Sequence, residues 1–372
     1  MTYAPDTVAT TRYGFLLVPN YSMLAFTSAV ETLRIANRTI GQTLYEWVTM
    51  TMDGAPIAAS NRLRIDPDCM AADAGCLDGV FVCAGLEVHH AYDKNLAAWL
   101  RRMAQRKIVI GALCTGTYLL ARAGLLDGYR CTIHWENLAS LREMFPKLTV
   151  SAELFEIDRD RYTCAGGSSS LDMILHLIRG QHGDEIITAI SEQLMCDRIR
   201  GVHDPQRIPL RVQLGTSQPK LEEAVTIMEA NIEEPISPDE LAQYVGVSRR
   251  QLERLFQKYL HCVPTRYYLE LRLKRARQLL LQSDLSIVDV GLACGFVSAP
   301  HFSKCYHDAF GIPPRDERRM HRRQIQELAE AVIAAAEPTA RPIPRASRGR
   351  GTRHRLPVPA EGTQHGDTEN AE

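Results

Sequence analysis

The sequence has no apolar run long enough to cross a lipid bilayer, which takes about 20 consecutive apolar residues. Residues 1–11 are polar and lack the charged and apolar regions of a secretory signal. We therefore expect no membrane partner and no export. The ten cysteines contain no CxxC pair and lie mostly within apolar runs, as Cys83, Cys114 and Cys196 do. Such cysteines indicate reduced thiols in a cytoplasmic protein, not a disulfide framework.

The chain also lacks a charge imbalance, because its 43 Lys and Arg residues nearly match its 44 Asp and Glu residues. This total neither supports nor excludes binding to nucleic acid, since charge is distributed by segment. Residues 222–240 hold seven acids and no base, whereas residues 248–282 hold nine Lys and Arg against two acids. The near-zero total therefore hides a basic surface.

The first of two predicted helix-turn-helix units begins at a capping box formed by Ser237 and Glu240. Gly246 ends this helix, because a left-handed C-cap costs glycine no Cβ clash. A second capping box, Ser248 and Gln251, opens the next helix. The outer face of that helix is polar and basic, which suits a DNA major groove.

A second unit repeats this plan. Ser286 opens its first helix, Gly295 ends it, and Ser298 caps a helix whose aromatic residues recur at i, i+4 and i+8. Residues 265–282 predict a long connecting helix with an apolar stripe and a basic surface. One such unit alone is equally compatible with a helical domain that has a solvated charged face, but two in tandem favour DNA binding.

The residues expected to contact DNA lie on the two recognition helices and on the connecting helix. Base contacts set specificity, whereas phosphate contacts position the protein without reading sequence. The predicted base-reading residues are Arg249, Arg250, Arg254, His301 and Lys304, the phosphate candidates are Arg272, Lys274 and Arg275, and the remaining candidates are Ser248, Gln251, Lys258, Ser298, Ser303 and His307.

Residues 220–320 resemble the DNA-binding domain of the AraC/XylS family of bacterial transcription regulators. The resemblance includes Arg275-Ala-Arg-Gln-Leu-Leu280, His301-Phe-Ser303 and Phe310-Gly-Ile-Pro-Pro314. It implies a sequence-specific DNA-binding regulator that contacts RNA polymerase and forms a homodimer. The family usually ends this stretch with a Tyr-Arg pair, where Glu317-Arg318 stands here. This departure puts the usual C-terminal aromatic packing in question. A nucleoid or structural DNA-binding protein is a weaker alternative.

Residues 12–202 alternate short, continuous apolar runs with amphipathic helical patterns. The runs Tyr13–Pro19, Gly79–Ala84 and Lys107–Leu113 predict buried strands, and residues 156–165 predict a hairpin. Continuous apolar strands that alternate with helices indicate a mostly parallel, flavodoxin-like α/β sheet with helices on both faces. The expected architecture is this α/β domain followed by the all-α DNA-binding domain.

The sequence Gly111-Ala-Leu-Cys-Thr-Gly116 predicts a sharp strand-to-helix turn, or elbow, with Cys114 at its apex. Ligands of open parallel sheets bind at the carboxyl edge, where such a turn also presents backbone N–H groups to an anion. A packed, inert thiol is the alternative.

Residues 13–177 resemble the class I glutamine amidotransferase-like superfamily, which includes PfpI-type cysteine hydrolases. In those hydrolases a histidine commonly follows the elbow cysteine, and the loop after the first strand supplies a carboxylate. Here Thr115 follows Cys114, and residues 20–24 hold no acid. Because a thiol without a base is a poor nucleophile, we expect no catalytic residue. We also expect neither a cofactor nor a metal. A cysteine amidase or protease fused to a DNA-binding domain is the alternative.

Fusion of these two domains is the plan of the GlxA-like regulators, which Thr132-Ile-His-Trp135 and Ala165-Gly-Gly-Ser-Ser-Ser-Leu-Asp172 resemble. Residues 251–262 and 311–318 resemble regulators of glycine betaine, dimethylglycine and carnitine catabolism. The resemblance implies a methylated-amine effector of that kind, and an amino acid such as arginine is the alternative.

The effector is expected above the elbow. Its carboxylate would take backbone N–H groups of the turn, and its methylated ammonium, a poor hydrogen-bond donor, would take aromatic faces. The predicted ligand-binding residues are Tyr21, Cys114, Thr115, Gly116, His134 and Trp135. Packing is the alternative role for Tyr21, His134 and Trp135.

Four regions follow from these patterns: a ligand-sensing domain at 12–202, a linker with three prolines at 203–219, a DNA-binding domain at 220–320 and a tail at 321–372. The tail is expected to be disordered because it lacks an apolar stripe, although residues 324–336 are alanine-rich and favour a helix. Residues 341–355 hold six arginines that could contact phosphate as an auxiliary. The apolar stretch Ile186–Met195 is a candidate dimer face, with core packing as the alternative.

Overall fold

A seven-stranded sheet forms the centre of the first domain in the computed structural model, which describes residues 10–336. The described strands are β1 (Thr11–Leu17), β2 (Tyr45–Thr51), β3 (Ile57–Ala58), β4 (Arg64–Ile65), β5 (Cys69–Met70), β6 (Gly79–Cys83), β7 (Val109–Leu113), β8 (Arg130–Cys131), β9 (Thr149–Val150), β10 (Phe155–Asp158) and β11 (Arg161–Cys164). The order in the sheet is β10-β11-β7-β6-β1-β2-β5, and only the β10–β11 hairpin at its edge is antiparallel. This mostly parallel sheet confirms the predicted fold class.

Six helices of the first domain pack on the two faces of the sheet, and the second domain consists of helices alone. Those of the first domain are α1 (Met23–Ile40), α2 (Lys94–Gln105), α3 (Gly116–Arg122), α4 (Leu138–Met144), α5 (Ser169–His182) and α6 (Asp184–Gln193). They are followed by α7 (Leu210–Gln213), α8 (Pro219–Ala230), α9 (Pro238–Tyr244), α10 (Arg249–Leu260), α11 (Pro264–Gln282), α12 (Ile287–Ala293), α13 (Ala299–Phe310) and α14 (Pro314–Ala336).

The central strand β6 shows why the sheet needs helices on both sides. Val80 and Val82 belong to the core under α2, α3 and α4, whereas Phe81 and Cys83 belong to the core under α1, α5 and α6. Successive side chains of a strand point to opposite faces, so a continuously apolar strand must be covered twice. Cys83 and Cys114 are both buried free thiols, as their apolar surroundings predicted.

The second domain consists of two helical units joined by α11. Leu252 and Phe256 of α10 pack with Tyr268 of α11 in one apolar cluster. Phe302 of α13 packs with Leu273 of α11 in another. The two predicted helix-turn-helix units are therefore α9–α10 and α12–α13, and the predicted connecting helix is α11.

At three of the four predicted serine N-caps, the serine side chain accepts a hydrogen bond from a backbone N–H of the helix. Ser237 and Ser248 each complete a capping box, and Ser286 accepts from the backbone N–H of Asp289 at 3.1 Å. Ser298 occupies the N-cap of α13, but its side chain makes no capping hydrogen bond, contrary to prediction. Pro300, the second residue of α13, has no N–H, which removes one of the two backbone donors that a cap can use.

Gly295 ends α12 in the left-handed conformation, with φ of 74°. A Cβ atom at this position would lie only 2.6 Å from the backbone oxygen of Ile232. Glycine is therefore required both by the backbone angle and by the close approach of the chain before α9.

The predicted dimer face Ile186–Met195 is divided between the core and the surface. Ile187 and Ile190 of α6 are 2% and 0% exposed and pack in the core that includes α1. Met195, beyond the end of α6, is 88% exposed. Core packing therefore explains why one side of α6 is apolar. Met195 is the exposed large apolar residue of this stretch.

The C-terminal helix α14 extends to Ala336, so the alanine-rich stretch at 324–336 is helical as its composition predicted. The chain divides into two compact units, of which the first ends at Arg322 and contains both predicted domains. The arginine-rich stretch at 341–355 lies outside the described residues. None of the helices described within residues 10–336 is long and apolar enough to cross a membrane.

Candidate effector site and DNA interface

Cys114 lies at the strained turn that the sequence predicted between β7 and α3. Its φ is 60°, a conformation that few residues other than glycine adopt, and it is 8% exposed. A Cβ atom at Gly166 would lie 2.4 Å from the Cβ atom of Cys114, so the loop after β11 closes tightly over the turn. Thr115 fixes the other side, because its hydroxyl donates a hydrogen bond to the Gly85 carbonyl at 2.6 Å. The predicted elbow is therefore held by two neighbouring loops.

The thiol of Cys114 is not activated. Burial, followed by the neighbouring Cys164, raises its pKa to about 12, although a hydrogen bond from the Thr115 backbone opposes the rise. The charge of Glu136 also raises the pKa. A thiol with such a pKa is protonated at neutral pH and is a weak nucleophile.

Tyr21 is fully buried, in contrast to the pocket-lining position predicted for it. Its ring packs edge-on against Phe26, with centroids 5.9 Å apart, and its hydroxyl contacts the sulfur of Met23 at 3.9 Å. Burial raises the Tyr21 pKa to about 12. The loop after β1 points the ring into the core because its backbone pairs with Ala59 and Gly85 on both sides. Packing is therefore the role that this structure gives Tyr21.

His134 and Trp135 lie together in the segment that precedes α4. Their ring centroids are 5.6 Å apart, and both residues are half-buried. Nδ1 of His134 lies 3.7 Å from Oε2 of Glu136, and burial lowers the His134 pKa although Glu136 opposes the shift. A neutral imidazole, an indole face and a carboxylate are thus adjacent in this segment, a combination that suits a small cationic ligand.

Trp135 also contacts the linker between the domains. The guanidinium of Arg207 lies 5.1 Å from the centroid of the Trp135 ring, and it pairs with Glu229 of α8 at 2.9 Å. Gln206, the preceding residue, donates to the backbone carbonyls of Ile133 and Glu153 at 3.2 and 2.7 Å. The linker is therefore tied to the Trp135 segment on one side and to the DNA-binding domain on the other. The sequence around Arg207 does not predict this role, because neither Trp135 nor Glu229 is near Arg207 along the chain.

The first recognition helix, α10, exposes a basic surface. Arg250, Arg254 and Lys258 are exposed and line a shallow groove together with Gln257. Arg249 is also exposed, but it pairs with Asp239 and Glu253, both at 3.0 Å, so its charge is partly neutralised. The unequal pairing makes the other three cations the stronger candidates for DNA contact.

Ser248 and Gln251 are engaged by each other at the start of α10. The Ser248 hydroxyl accepts from the Gln251 backbone N–H at 3.3 Å, and the Gln251 side chain accepts from the Ser248 N–H at 2.9 Å. Both residues are exposed, so they can lie near DNA while they hold the helix end. Their predicted contact with DNA stays a prediction.

The second recognition helix, α13, exposes His301, Lys304 and His307, whereas Ser303 is half-buried. The His301 ring packs near Phe296, with centroids 5.9 Å apart, and its Nε2 lies 3.3 Å from the sulfur of Cys305. Phe302 and Tyr306 face the core on the opposite side. The helix therefore has the amphipathic division that its spacing predicted.

The three phosphate candidates of α11 have different environments. Lys274 is exposed. Arg272 donates to the backbone carbonyls of Cys294 and Gly295, at 2.8 and 2.7 Å, and its guanidinium lies 4.1 Å from the Phe296 ring centroid. The structure thus gives Arg272 a packing role at the end of α12, because these carbonyls need donors. Arg275 is half-buried, and burial lowers its pKa.

Among residues 10–336, no group of three or more His, Cys, Asp or Glu side chains is placed to hold a metal ion. The geometry thus provides two exposed recognition helices and, in the first domain, a strained turn beside a His-Trp-Glu segment. This combination defines a DNA-binding protein with an attached α/β domain.

Two family models match the chain, and they correspond to the two domains. The DJ-1/PfpI family matches residues 15–180, and a helix-turn-helix domain matches residues 241–320. The chain belongs to the HTH-type transcriptional regulators of the AraC type, in the subgroup with an N-terminal DJ-1/PfpI domain. The predicted family and the predicted function as a DNA-binding transcription regulator are confirmed.

Three regulators of Pseudomonas aeruginosa illustrate the relationship. The chain is 52% identical to the HTH-type transcriptional regulator GbdR, with 89% of this chain and 90% of GbdR aligned. It is 42% identical to the regulator CdhR, over 91% of this chain and 99% of CdhR. It is 46% identical to the regulator ArgR, over 84% of this chain and 94% of ArgR. The similarity thus extends across both domains.

Proposed function

We propose that this regulator is a cytoplasmic transcription activator that responds to a small catabolic metabolite. The observation that supports it best is the pair of recognition helices, α10 and α13, joined by α11 and attached to an α/β domain with a ligand-suited edge. Two recognition helices on one chain would enter successive major grooves, about 34 Å apart along one face of the duplex. A hydroxyl-radical footprint on the promoter it regulates tests this, because protection of a single groove contradicts it.

The proposed effector is glycine betaine, dimethylglycine or carnitine, with arginine as the second candidate. The resemblance of residues 251–262 and 311–318 to regulators of methylated-amine catabolism suggests the class of molecule. The His134-Trp135-Glu136 segment supports it chemically, because an indole face attracts a cation that donates few hydrogen bonds, and a nearby carboxylate offsets the charge of that cation. Backbone N–H groups at Cys114, Thr115 and Gly116 are the proposed partners of the effector carboxylate. Calorimetry with the four compounds tests the assignment. If none of the four binds, the assignment is wrong.

We propose further that the first domain is not an enzyme. The raised Cys114 pKa supports this, because acyl transfer by cysteine needs a thiolate or an adjacent base. The alternative, a cysteine amidase or protease fused to a DNA-binding domain, requires amide hydrolysis that disappears in Cys114→Ala while DNA binding persists. Assay of the wild-type protein and this variant on a panel of fluorogenic amides separates the two functions.

We also propose that the regulator acts as a homodimer on DNA and contacts RNA polymerase. Pairing of two copies on adjacent sites raises affinity through effective concentration, which favours a dimer for a regulator of this kind. Met195 and its neighbours on the surface after α6 are the proposed contact. Sedimentation that shows a monomer at every concentration, with and without effector and DNA, contradicts the dimer.

A further inference from the structure

Helix α4 of the first domain packs against α11, the helix that supports both recognition helices. Ala139 of α4 is 1% exposed and belongs to the same apolar cluster as Ala276 and Leu279 of α11. Next to it, the Ser140 hydroxyl donates a hydrogen bond to Oε1 of Gln282 at 3.2 Å, and Ser140 is 2% exposed. The two domains thus share a buried apolar contact here, and the Ser140 hydroxyl, which also lies 3.0 Å from the Asn137 carbonyl, adds a hydrogen bond across it.

Arg275 lies on the same helix, and the burial of its charged side chain makes the contact less favourable. Its Nε is buried and has no hydrogen-bond partner in the described structure. No carboxylate of the described residues forms an ion pair with it within 4.0 Å, although Glu143 and Glu233 act on it at longer range, and Arg142 of α4 adds a like charge. Burying the Nε of a guanidinium without a hydrogen-bond partner costs free energy. The α4–α11 contact therefore carries a cost that a phosphate partner for Arg275 would remove.

The other end of α4 connects directly to the proposed effector site. His134, Trp135 and Glu136 precede the helix, and Thr117 of α3, just past the elbow, donates a hydrogen bond to the backbone carbonyl of Thr132 at 2.7 Å. A ligand bound beside these residues would thus contact the segment that positions α4. Residues 134–144, which we call the coupling segment, run from the elbow to α11.

We propose that the coupling segment is an autoinhibitory latch: while α4 packs on α11 it holds Arg275 away from DNA phosphate, and effector binding at the elbow loosens it. The closed latch and a phosphate contact by Arg275 compete, because a guanidinium that is half-buried beside α4 must leave that position to reach DNA. An effector can open the latch only by as much as its affinities for the two arrangements differ. The effector step rests on the proposed function, whereas the latch itself does not.

The latch is tested without any effector, by binding of the full-length protein to a mixed-sequence DNA duplex. Gln282→Ala removes the hydrogen bond to Ser140, and a bond of this kind shifts an equilibrium by about two- to tenfold. We expect fluorescence anisotropy to show tighter binding by that factor. Gln278→Ala, one turn earlier on α11, is the matched control and leaves affinity unchanged. Addition of Arg275→Ala to Gln282→Ala cancels the gain.

A second variant opens the latch sterically. Ala139→Gln places a longer side chain in the closed contact, and hydrogen exchange is expected to show faster exchange in α4 and α11 with tighter DNA binding. Faster exchange with unchanged or weaker DNA binding overturns the proposal, as does a gain in Gln282→Ala that survives loss of Arg275.

The effector step is measured separately with glycine betaine as the probe. We expect it to tighten DNA binding by the wild-type protein more than by Gln282→Ala, whose latch is already weakened. If glycine betaine does not bind but the Gln282→Ala and Arg275→Ala results hold, the latch stands and the effector assignment is wrong. If bound glycine betaine tightens DNA binding equally in the wild type and in Gln282→Ala, the effector does not act by opening the latch.

Discussion

The carboxylate of Glu317 accepts hydrogen bonds from the hydroxyl of Tyr306 and, at 2.6 Å, from Nε of Arg277. Glu317 is 6% exposed and Tyr306 is fully buried, so a charged hydrogen bond lies inside the second helix-turn-helix unit. Glu317 stands where the AraC/XylS family usually has a tyrosine. The aromatic stripe predicted on α13 is formed although residue 317 is not aromatic, because Tyr306 packs against Phe302 and Phe310, with centroids 5.7 and 4.6 Å apart.

We expect Tyr306→Phe to destabilise the protein, because it leaves a buried carboxylate oxygen without a donor. Hydrogen bonds to charged groups contribute about 1.5–3 kcal/mol, so the free energy of unfolding of this unit is expected to fall by that amount. Urea denaturation monitored by circular dichroism measures it. Tyr244→Phe is the control, since Tyr244 is 65% exposed and removal of its hydroxyl is expected to change little. Equal stability of the two variants contradicts a stabilising role for the buried bond.

The sequence predicted most of the fold because the deciding signals are local. Capping boxes at Ser237 and Ser248, the glycine after α12 and the apolar strands each depend on residues within a few positions of one another. By contrast, α4 has only seven residues and no side-chain cap, and the side that carries Ala139 is covered by α11 from the other domain. No pattern within α4 could show this, because the covering residues are far away along the chain.

The candidate site was only partly predictable for a similar reason. The elbow at Cys114 follows from a buried strand that runs into a helix, and the structure has it. Tyr21 was predicted by its place after β1, but backbone pairing on both sides turns its ring inward. The roles of Arg207 and Arg275 depend on how the two domains pack. Amino-acid type alone predicted an exposed position for Arg275, which is half-buried.

The Cys114 thiol is expected to be inert towards alkylation. Its pKa of about 12 leaves very little thiolate at pH 7.5, and burial also limits access. Treatment of the native protein with iodoacetamide, followed by peptide mass spectrometry, should therefore label exposed Cys76 and leave Cys114 unmodified. Labelling in urea is the control that shows both peptides can be detected. Rapid labelling of Cys114 under native conditions would revive the hydrolase alternative.

His89 is expected to make stability depend on pH. Burial, then the charges of His90 and His321, lower its pKa to about 4, while Asp284 opposes and Arg322 adds to the shift. In the unfolded chain the ordinary pKa of 6.5 applies, so between pH 4 and 6.5 the unfolded state binds more protons. The contribution of His89 is therefore fully present above pH 6.5 and is lost as the pH falls towards 4.

Thermal unfolding at pH 7.5 and pH 5 tests this pH dependence. The wild-type protein should lose more stability between the two values than His89→Asn, which has no titrating group at that position. His261→Asn is the control, because His261 is exposed and forms no ion pair among the described residues. A pH dependence that is identical in wild type and His89→Asn would exclude the proposed linkage.

Trp135 and Arg207 are expected to have opposite effects on effector binding. A methylated ammonium on the Trp135 face contributes about 0.5–2 kcal/mol, so Trp135→Ala should weaken glycine betaine binding by about two- to thirtyfold. Trp135→Phe, which keeps an aromatic face, should restore part of the loss. Arg207→Ala should strengthen binding, because the native guanidinium 5.1 Å from the ring centroid competes for that face. Calorimetry on the full-length protein measures all three, and unchanged affinity in Trp135→Ala removes Trp135 from the site.

Arg250 and His301 should read bases, whereas Lys274 should bind phosphate. Both base-reading candidates are exposed on recognition helices, and loss of a good base contact costs about 1–3 kcal/mol at its own position in the DNA site. We therefore expect Arg250→Ala and His301→Ala each to relax specificity in a different major groove. Lys274→Ala should instead weaken all sequences alike and reduce the dependence of affinity on salt, because one fewer counterion is released.

Selection of binding sites from a random DNA pool by each variant, followed by salt titrations, distinguishes these contacts. Arg249→Ala is an informative comparison on α10, because its guanidinium already pairs with Asp239 and Glu253 and should contribute less than Arg250. If the double variant Arg250→Ala, His301→Ala selects the same sites as the wild type, α10 and α13 do not read the bases in the proposed way. A larger loss of DNA affinity in Arg249→Ala than in Arg250→Ala would show that DNA replaces the ion pairs of Arg249 with Asp239 and Glu253. Only then is the full charge of Arg249 available to the DNA.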